Sequence, residues 1–308
     1  MNTIEILNLS KSYKDINALN DISLSINKGD MFGVIGPDGA GKTTLFRILA
    51  TLISPDSGSV NVLGNDIIKD SLYIRKDTGY MPQRFSLYQD LTVEENLSFY
   101  ADLFKVPKIK KNERTKTLLG FSKLEKFTKF KASQLSGGMK QKLALCCALI
   151  HTPKLLILDE PTTGVDPVSR REFWEIIMEL KKEKVTIIFS TPYMDEASKC
   201  DRLALIYKGK ILLLGTEKEI IANFTGSVYE IQGDNLQHIA EIYRKIFGAW
   251  HIQIFGDRIH ISMQANDKIS EISSIARDNN LNLKSVKIVP SSIEDTFVNL
   301  IKEKGNEN

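Results

Sequence analysis

The sequence predicts a layered α/β fold wrapped round a phosphate-binding loop, followed by a second, smaller domain of mixed α+β type. Three observations carry this expectation. The run Gly36-Pro37-Asp38-Gly39-Ala40-Gly41-Lys42-Thr43-Thr44 has the glycine spacing and the Lys-Thr pair of a phosphate loop. Short apolar runs alternate with longer helix-period stretches as far as residue 214. Near Ile220 the pattern restarts with a different order of elements.

Taken in chain order, Ile4–Leu9 and Ile22–Ile26 read as strands, and Met31–Ile35 as a buried strand leading into the phosphate loop. Leu45, Phe46, Ile48 and Leu49 then mark an amphipathic helix. Strand–loop–helix is the context in which such a loop works. Its glycines let backbone N–H groups turn inward on phosphate oxygens, and the helix N-terminus adds positive potential. Lys42 can reach the terminal phosphates, and the Thr43 hydroxyl can ligate Mg²⁺. A bare Gly-rich turn would not need that lysine. The loop implies binding of a nucleoside triphosphate.

Further strands are expected at Val60–Leu63, Thr78–Met81, Leu155–Leu158, Thr186–Phe189, Arg202–Ile206 and Lys210–Leu213. Between Gln83 and Ile150 the periodicity is almost wholly helical (Val93, Leu97, Tyr100, Ala101, Phe104), which predicts a helical lobe over about residues 84–150. Within it, Lys105, Lys108, Lys110, Lys111, Arg114 and Lys116 form a basic cluster. Such a cluster is either a solvated face or a surface held close to anionic lipid headgroups.

The run Lys154-Leu155-Leu156-Ile157-Leu158-Asp159-Glu160-Pro161-Thr162 is a buried strand that delivers two carboxylates to the sheet edge where the phosphate loop lies. Asp159 is placed to hold Mg²⁺ through a water, and Glu160 to orient or deprotonate an attacking water. Ser136-Gly137-Gly138 opens the helix that runs to Ile150. That arrangement suits either a second anion site or a capping serine followed by flexible glycines.

After a linker expected around 222–227, Val228–Gln232 reads as a strand and Leu236–Phe247 as a helix. His251–Phe255 and Arg258–Ser262 read as a hairpin turning at Gly256-Asp257. A helix at Ile269–Asn279, a strand at Leu283–Ile288 and a last helix at Ile293–Lys302 complete the pattern. The β-α-β-β-α-β order predicts a ferredoxin-like domain over 227–308, with the first domain over 1–222.

Composition narrows the class. A net charge of +3, from 41 basic and 38 acidic residues, is too balanced to point to nucleic acid. The longest apolar run, Leu143–Ile150, is far short of the roughly 18 residues that span a bilayer. Met1–Glu5 lacks the basic start and apolar core of a signal peptide, so a cytoplasmic location is expected. Cys146, Cys147 and Cys200 fit neither a disulfide framework nor a zinc site and read as small buried hydrophobes.

In order, the phosphate loop, Met81-Pro82-Gln83, Leu135-Ser136-Gly137-Gly138-Met139-Lys140-Gln141, Asp159-Glu160 and Gly164-Val165-Asp166-Pro167 resemble the ATP-binding subunit of an ABC transporter over residues 3 to about 220. The resemblance implies an ABC ATPase core with a helical signature subdomain, with ATP and Mg²⁺ bound. It further implies that Tyr13 stacks on adenine, unless it merely packs the first hairpin. Gln83 would touch Mg²⁺ and report to a membrane partner, and Asp166 would lie at a dimer seam. Two subunits, alike or different, would pack head to tail. ATP would lie between the phosphate loop of one and Ser136-Gly137-Gly138 of the other. An integral-membrane permease would be a separate chain, and the subunit would lie peripherally on the inner face of the membrane. Gly79–Tyr88, Tyr193-Met194-Asp195-Glu196-Ala197 and Pro290–Phe297 make it similar to bacterial multidrug exporters of the type-2 class.

One position departs from that family. After Phe189-Ser190-Thr191 the resemblance calls for a histidine that contacts the γ-phosphate, and Pro192 stands there instead. This leaves nucleotide binding intact but places hydrolysis in question. It also raises the alternative of a weakly hydrolysing subunit in a heterodimer. A soluble ABC ATPase acting on nucleic acid or the ribosome is disfavoured. There is one phosphate loop, and the 91 residues between Thr44 and Ser136 leave no room for a long coiled coil.

Overall fold

The computed structural model describes residues 2–263 and 269–305. The chain forms two compact units, Met1–Leu214 and Gly215–Asn308. The first carries β1 (Asn2–Tyr13), β2 (Ile16–Asn27), β3 (Met31–Ile35), α1 (Lys42–Leu49), β4 (Ser57–Val62), β5 (Asn65–Asp66), α2 (Ser71–Lys76) and β6 (Thr78–Met81). The lobe helices α3 (Val93–Leu103), α4 (Lys108–Ser122) and α5 (Gly137–Leu149) follow. Then come β7 (Leu155–Asp159), α6 (Pro167–Lys182), β8 (Thr186–Thr191), β9 (Arg202–Tyr207) and β10 (Lys210–Gly215).

Six strands form one sheet in the order β10-β9-β3-β8-β7-β6. Strands β3, β7 and β8 are buried at every position, which is why they read as unbroken apolar runs rather than as alternation. Their two faces feed different cores. Leu155, Ile157, Phe32 and Val34 pack with α1 and the antiparallel sheet β2-β1-β4-β5. Leu156, Leu158, Ile187 and Phe189 pack under the lobe with Leu97, Leu143 and Phe173.

The first hairpin runs longer than its apolar residues predict. Its solvent face carries Asn8, Ser10 and Lys11, and register shifts interrupt the ladder, so the alternation is broken in sequence. The two-residue β5 and the short α2 are too brief to show a period in the sequence. Both cysteines of α5 are buried, and burial pushes the Cys146 thiol up to about 11.

In the second unit, α7 (Glu217–Ile221) is followed by β11 (Ser227–Gly233), α8 (Leu236–Phe247), β12 (Ile252–Phe255), β13 (Arg258–Met263), α9 (Ile269–Asp278), β14 (Leu283–Val289) and α10 (Ile293–Gly305). The sheet order β12-β13-β11-β14, with β11 antiparallel to both neighbours, is the ferredoxin-like arrangement. The division between units falls at Leu214–Gly215, before the 222–227 stretch read as linker, because α7 packs against α10. Tyr229, Ile231, Ile259 and Ile261 face Ile239, Tyr243 and Ile272 of the covering helices. On the opposite face, α10 is tied to β13 by His260 and Asp295 (3.3 Å) and to the turn just before β12 by Lys302 and His251 (2.6 Å).

His151, just beyond α5, stacks on Phe104 with ring centroids 3.7 Å apart, and its Nε2–H donates to the Thr78 carbonyl at 3.2 Å. Burial pushes its pKa down to about 4, so the fold holds it neutral while the unfolded chain protonates near 6.5. Its contribution is complete above the unfolded value and is lost as pH falls towards 4. His151→Phe should therefore lose less stability than the parent between about pH 7.5 and about pH 4.5, by roughly 2–3 kcal/mol. Urea unfolding at the two pH values measures this; equal losses in both proteins would refute it.

Candidate active site

Strand register assembles the site. Ile35 pairs with Thr191, Asp159 with Ser190, and Met81 with Leu158. The C-terminal ends of β3, β8, β7 and β6 are therefore level. The phosphate loop, Pro192, Glu160 and Gln83, each just past the end of its strand, meet at one edge of the sheet.

The loop is tightly built. Gly41 has φ +106 and a side chain there would collide with the Ala18 carbonyl of β2, so this position requires glycine. Lys42, buried, donates from Nζ to the carbonyls of Gly36 (2.7 Å) and Pro37 (2.9 Å) and pairs with Glu160 Oε1 at 3.0 Å. Glu160 itself sits at φ +48, a left-handed conformation that costs a non-glycine residue energy and turns its carboxylate back towards the loop. Gln83 Nε2 donates to Glu160 Oε2 at 2.8 Å, and the Thr163 hydroxyl donates to the same oxygen at 3.2 Å. One carboxylate thus joins the phosphate-loop lysine to Gln83.

Asp159 is wholly buried. Its Oδ1 accepts from the hydroxyls of Thr43 (3.2 Å) and Ser190 (2.7 Å), while Ser190 Oγ also accepts the Glu160 N–H at 2.9 Å. Burial raises the Asp159 pKa against the lowering effect of those two hydroxyls. Its Oδ2 is buried with no hydrogen-bond partner among the described residues. An orphaned carboxylate oxygen beside a threonine hydroxyl fits a hard cation such as Mg²⁺, which takes oxygen ligands. Gln83 is bonded to Glu160 rather than to the Thr43–Asp159 pair.

Other expected residues lie on separate elements. Ser136 caps α5 by accepting the Met139 N–H at 3.3 Å, and it is exposed together with Gly137. Gly138 is buried, and a Cβ there would strike the Ser169 side chain on α6, so this glycine serves helix packing. Pro37, Asp38, Gly39, Ala40 and Thr44 lie in or just beyond the loop between β3 and α1. Tyr13 ends β1, is 44% exposed, and has Lys11 Nζ 5.7 Å from its ring centroid. Asp166 caps α6 by accepting the N–H groups of Val168 and Ser169, which lowers its pKa.

Pro192 follows β8, where the Thr191 carbonyl accepts the Gly36 N–H at 3.2 Å. The segment after it is clamped. Glu196, wholly buried, accepts at Oε1 from Thr162 (2.9 Å), Arg170 (2.8 Å) and Trp174 (2.7 Å). Arg170 also grips Asp195 and stacks over Tyr193, 4.3 Å from the ring centroid. Sequence reasoning missed Ser190, Thr163 and Glu196 as parts of the site. A serine ending an apolar strand opposite an aspartate is the signal for Ser190, but it needs the register to be read.

This geometry defines a P-loop nucleotide-binding fold with a pair of acids at the end of β7. Residues 19–163 match the ABC transporter family. The Nod factor export ATP-binding protein I of Bradyrhizobium diazoefficiens is 35% identical over 299 residues, covering 96% of this chain and 95% of that protein. The probable multidrug ABC transporter ATP-binding protein YbhF of Escherichia coli is 48% identical over 209 residues, 68% of this chain, and the match spans 36% of YbhF's length. Among solved structures, cbiO1 of Clostridium perfringens, part of the ABC transporter complex cbiONQ, matches with a TM-score of 0.66 at 30% identity, over 72% of this chain and 91% of that one. The dimeric ATP-binding cassette MJ0796 with ADP and Pi matches with a TM-score of 0.64 at 26% identity, over 69% of this chain and 98% of that one. The chain belongs to the ABC transporter family, among its ATP-binding subunits.

Lys42→Ala should weaken ATP binding many-fold, because charge-assisted contacts to the phosphates are lost. Ser190→Ala should leave binding near the parent value but lower turnover by about 10–100-fold, since it releases both Asp159 and the Glu160 backbone. Fluorescence titration and a phosphate-release assay separate the two effects. Parent-like turnover in Ser190→Ala would show that strand register alone holds the acids.

Proposed function

We propose that this chain is the ATP-hydrolysing subunit of an exporter and drives a separate membrane permease whose cargo is a drug or other hydrophobic compound. The observation that carries the reading is the Glu160 carboxylate, shared by Lys42 and Gln83. The loop N–H groups and Lys42 bind the phosphates of ATP, and arriving phosphate replaces Glu160 as the lysine's counter-charge. Glu160, released, orients the attacking water and takes its proton. Thr43 and Asp159 would hold Mg²⁺, which when bound neutralises charge on the phosphate oxygens. Ser136 and Gly137, exposed at the start of α5, would close over ATP bound to a second subunit. Gln83 then senses whether Glu160 is engaged with Lys42 or with water.

Beside Pro82 lies an apolar groove of about 900 Å³, lined by Leu72, Tyr80, Met81, Tyr100, Phe104 and Ala148. We assign its occupant as a helix from a cytoplasmic loop of the permease. The groove adjoins Gln83, and no helix of the described residues is long and apolar enough to cross a membrane. The multidrug and linearmycin-resistance names of two relatives support a drug as cargo. Tyr100→Arg should abolish co-purification with the permease from detergent-solubilised membranes while ATP binding persists; retained association would place the contact elsewhere.

Pro192 favours a second reading, a subunit that hydrolyses slowly by itself. It brings neither a side-chain donor nor a backbone N–H to the developing phosphoryl charge, and loss of one such donor typically costs about 10²–10³ in rate. The isolated protein should therefore turn over slowly, and Pro192→His should raise its rate. In a pair with a histidine-bearing subunit, Ser136→Arg should stop turnover, whereas Glu160→Gln should reduce it only modestly. Fast homodimer turnover that is unchanged by Pro192→His and abolished by Glu160→Gln would exclude the slow-subunit reading.

A further inference from the structure

We infer that the tip of the helical lobe, formed by the 105–107 loop and the first turn of α4, seats on anionic lipid headgroups of the membrane beside the permease. This rests on the reading that the apolar groove faces the permease. Apart from Lys116, exposed further along α4, the basic cluster of the sequence separates into two groups. Lys111 is bound to Asp102 at 2.7 Å, and Arg114 donates inward to the Leu149 carbonyl at 3.0 Å, so both serve the fold. Lys105, Lys108 and Lys110 are exposed and make no ion pair among the described residues. No acidic residue occurs from Leu103 to Asn112; of the two acids that flank this stretch, Asp102 is paired with Lys111 and Glu113 lies further along α4. The tip therefore presents concentrated positive charge in which Lys105, Lys108 and Lys110 are not ion-paired among the described residues.

A second property sets this tip apart from an ordinary solvated basic face. Ile109, between two of these lysines, is 87% exposed, on the side of α4 opposite the buried Leu118, Leu119 and Ser122. Leu103, at the end of α3, is 59% exposed. Lysines flanking a projecting aliphatic side chain match a bilayer interface: the cations meet phosphates while the apolar group enters the headgroup boundary. Position agrees with this. Leu103, Phe104 and Lys105 also line the groove assigned to the permease, so the basic tip continues the surface that turns towards the membrane. Attraction of this type acts within about a Debye length, ~8–10 Å at physiological salt, and so needs a surface close by.

Sedimentation of the purified full chain with vesicles tests the inference. The protein should bind vesicles of phosphatidylcholine containing about 30% phosphatidylglycerol more tightly than pure phosphatidylcholine vesicles, and the difference should shrink with added salt. Replacing Lys105, Lys108 and Lys110 together by Gln should weaken that binding by roughly 100-fold, at about fivefold per charge. Ile109→Ser should weaken it severalfold, and ATP binding should be unchanged in both variants. Equal binding to neutral and anionic vesicles, or parent-like binding by the triple variant, would overturn the inference. A Lys108→Gln/Lys110→Gln variant that loses the permease in detergent, where no bilayer is present, would overturn it too, since these two lysines lie outside the groove lining and would then contact protein. Anionic-vesicle binding by a parent that never associates with a permease would count against the exporter function while leaving the lipid surface standing.

Discussion

Parallel pairing in the six-stranded sheet is the constraint on which the chemistry depends. Hydrogen bonds between β3 and β8, and between β8, β7 and β6, fix where each strand stops relative to the next. A one-residue slip of β7 would turn its side chains to the opposite faces and carry Asp159 away from Ser190 and Thr43. The register is strongly specified because both faces of these strands are buried and each side packs a different core. The lobe core and the hairpin core are thus more than supports. By demanding alternate residues of the same strands, they hold the loops after these four strands level.

The centre of the site is a single carboxylate in a left-handed backbone conformation. Glu160 occupies it one residue past the end of β7, although the following Pro161 by itself favours extended backbone there. Lys42 and Glu160 neutralise each other while nearly excluded from water, at 3% and 4% exposure. Neither partner can leave without replacement, since an unpaired buried charge is costly. Nucleotide phosphate is chemically suited to take over the lysine, and the released carboxylate is then free for a water. In the proposed reaction, binding and catalytic readiness would be coupled through this one ion pair.

Much of this is legible in the sequence, for reasons that can be named. Buried parallel strands announce themselves as apolar runs, and Leu155–Leu158 stops one residue short of the strand only because Asp159 is polar yet buried. The phosphate loop is readable because its glycines answer to backbone geometry rather than to packing. The second unit is readable because its helices are strongly amphipathic and its hairpin turns at Gly256. Ser190 and Glu196 stay hidden because their partners lie 31 and 34 residues away, at Asp159 and Thr162. Nothing local marks a glutamate in Asp195-Glu196-Ala197 as wholly buried. The packing role of Gly138 is hidden for a related reason, since its neighbour Ser169 is on another helix.

The clamp around Glu196 constrains how this sequence can drift. Thr162, Arg170 and Trp174 all converge on one oxygen of a side chain with no solvent contact. Removing one partner of a buried charge pair typically costs about 3–5 kcal/mol, a large part of the ~5–15 kcal/mol that separates a folded domain from its unfolded chain. Replacing the whole group with matching apolar residues can be nearly neutral, but no single nucleotide change achieves that. Descendants of this chain are therefore expected to inherit Thr162, Arg170, Trp174 and Glu196 as a block. Asp195, exposed beside them, is freer to vary.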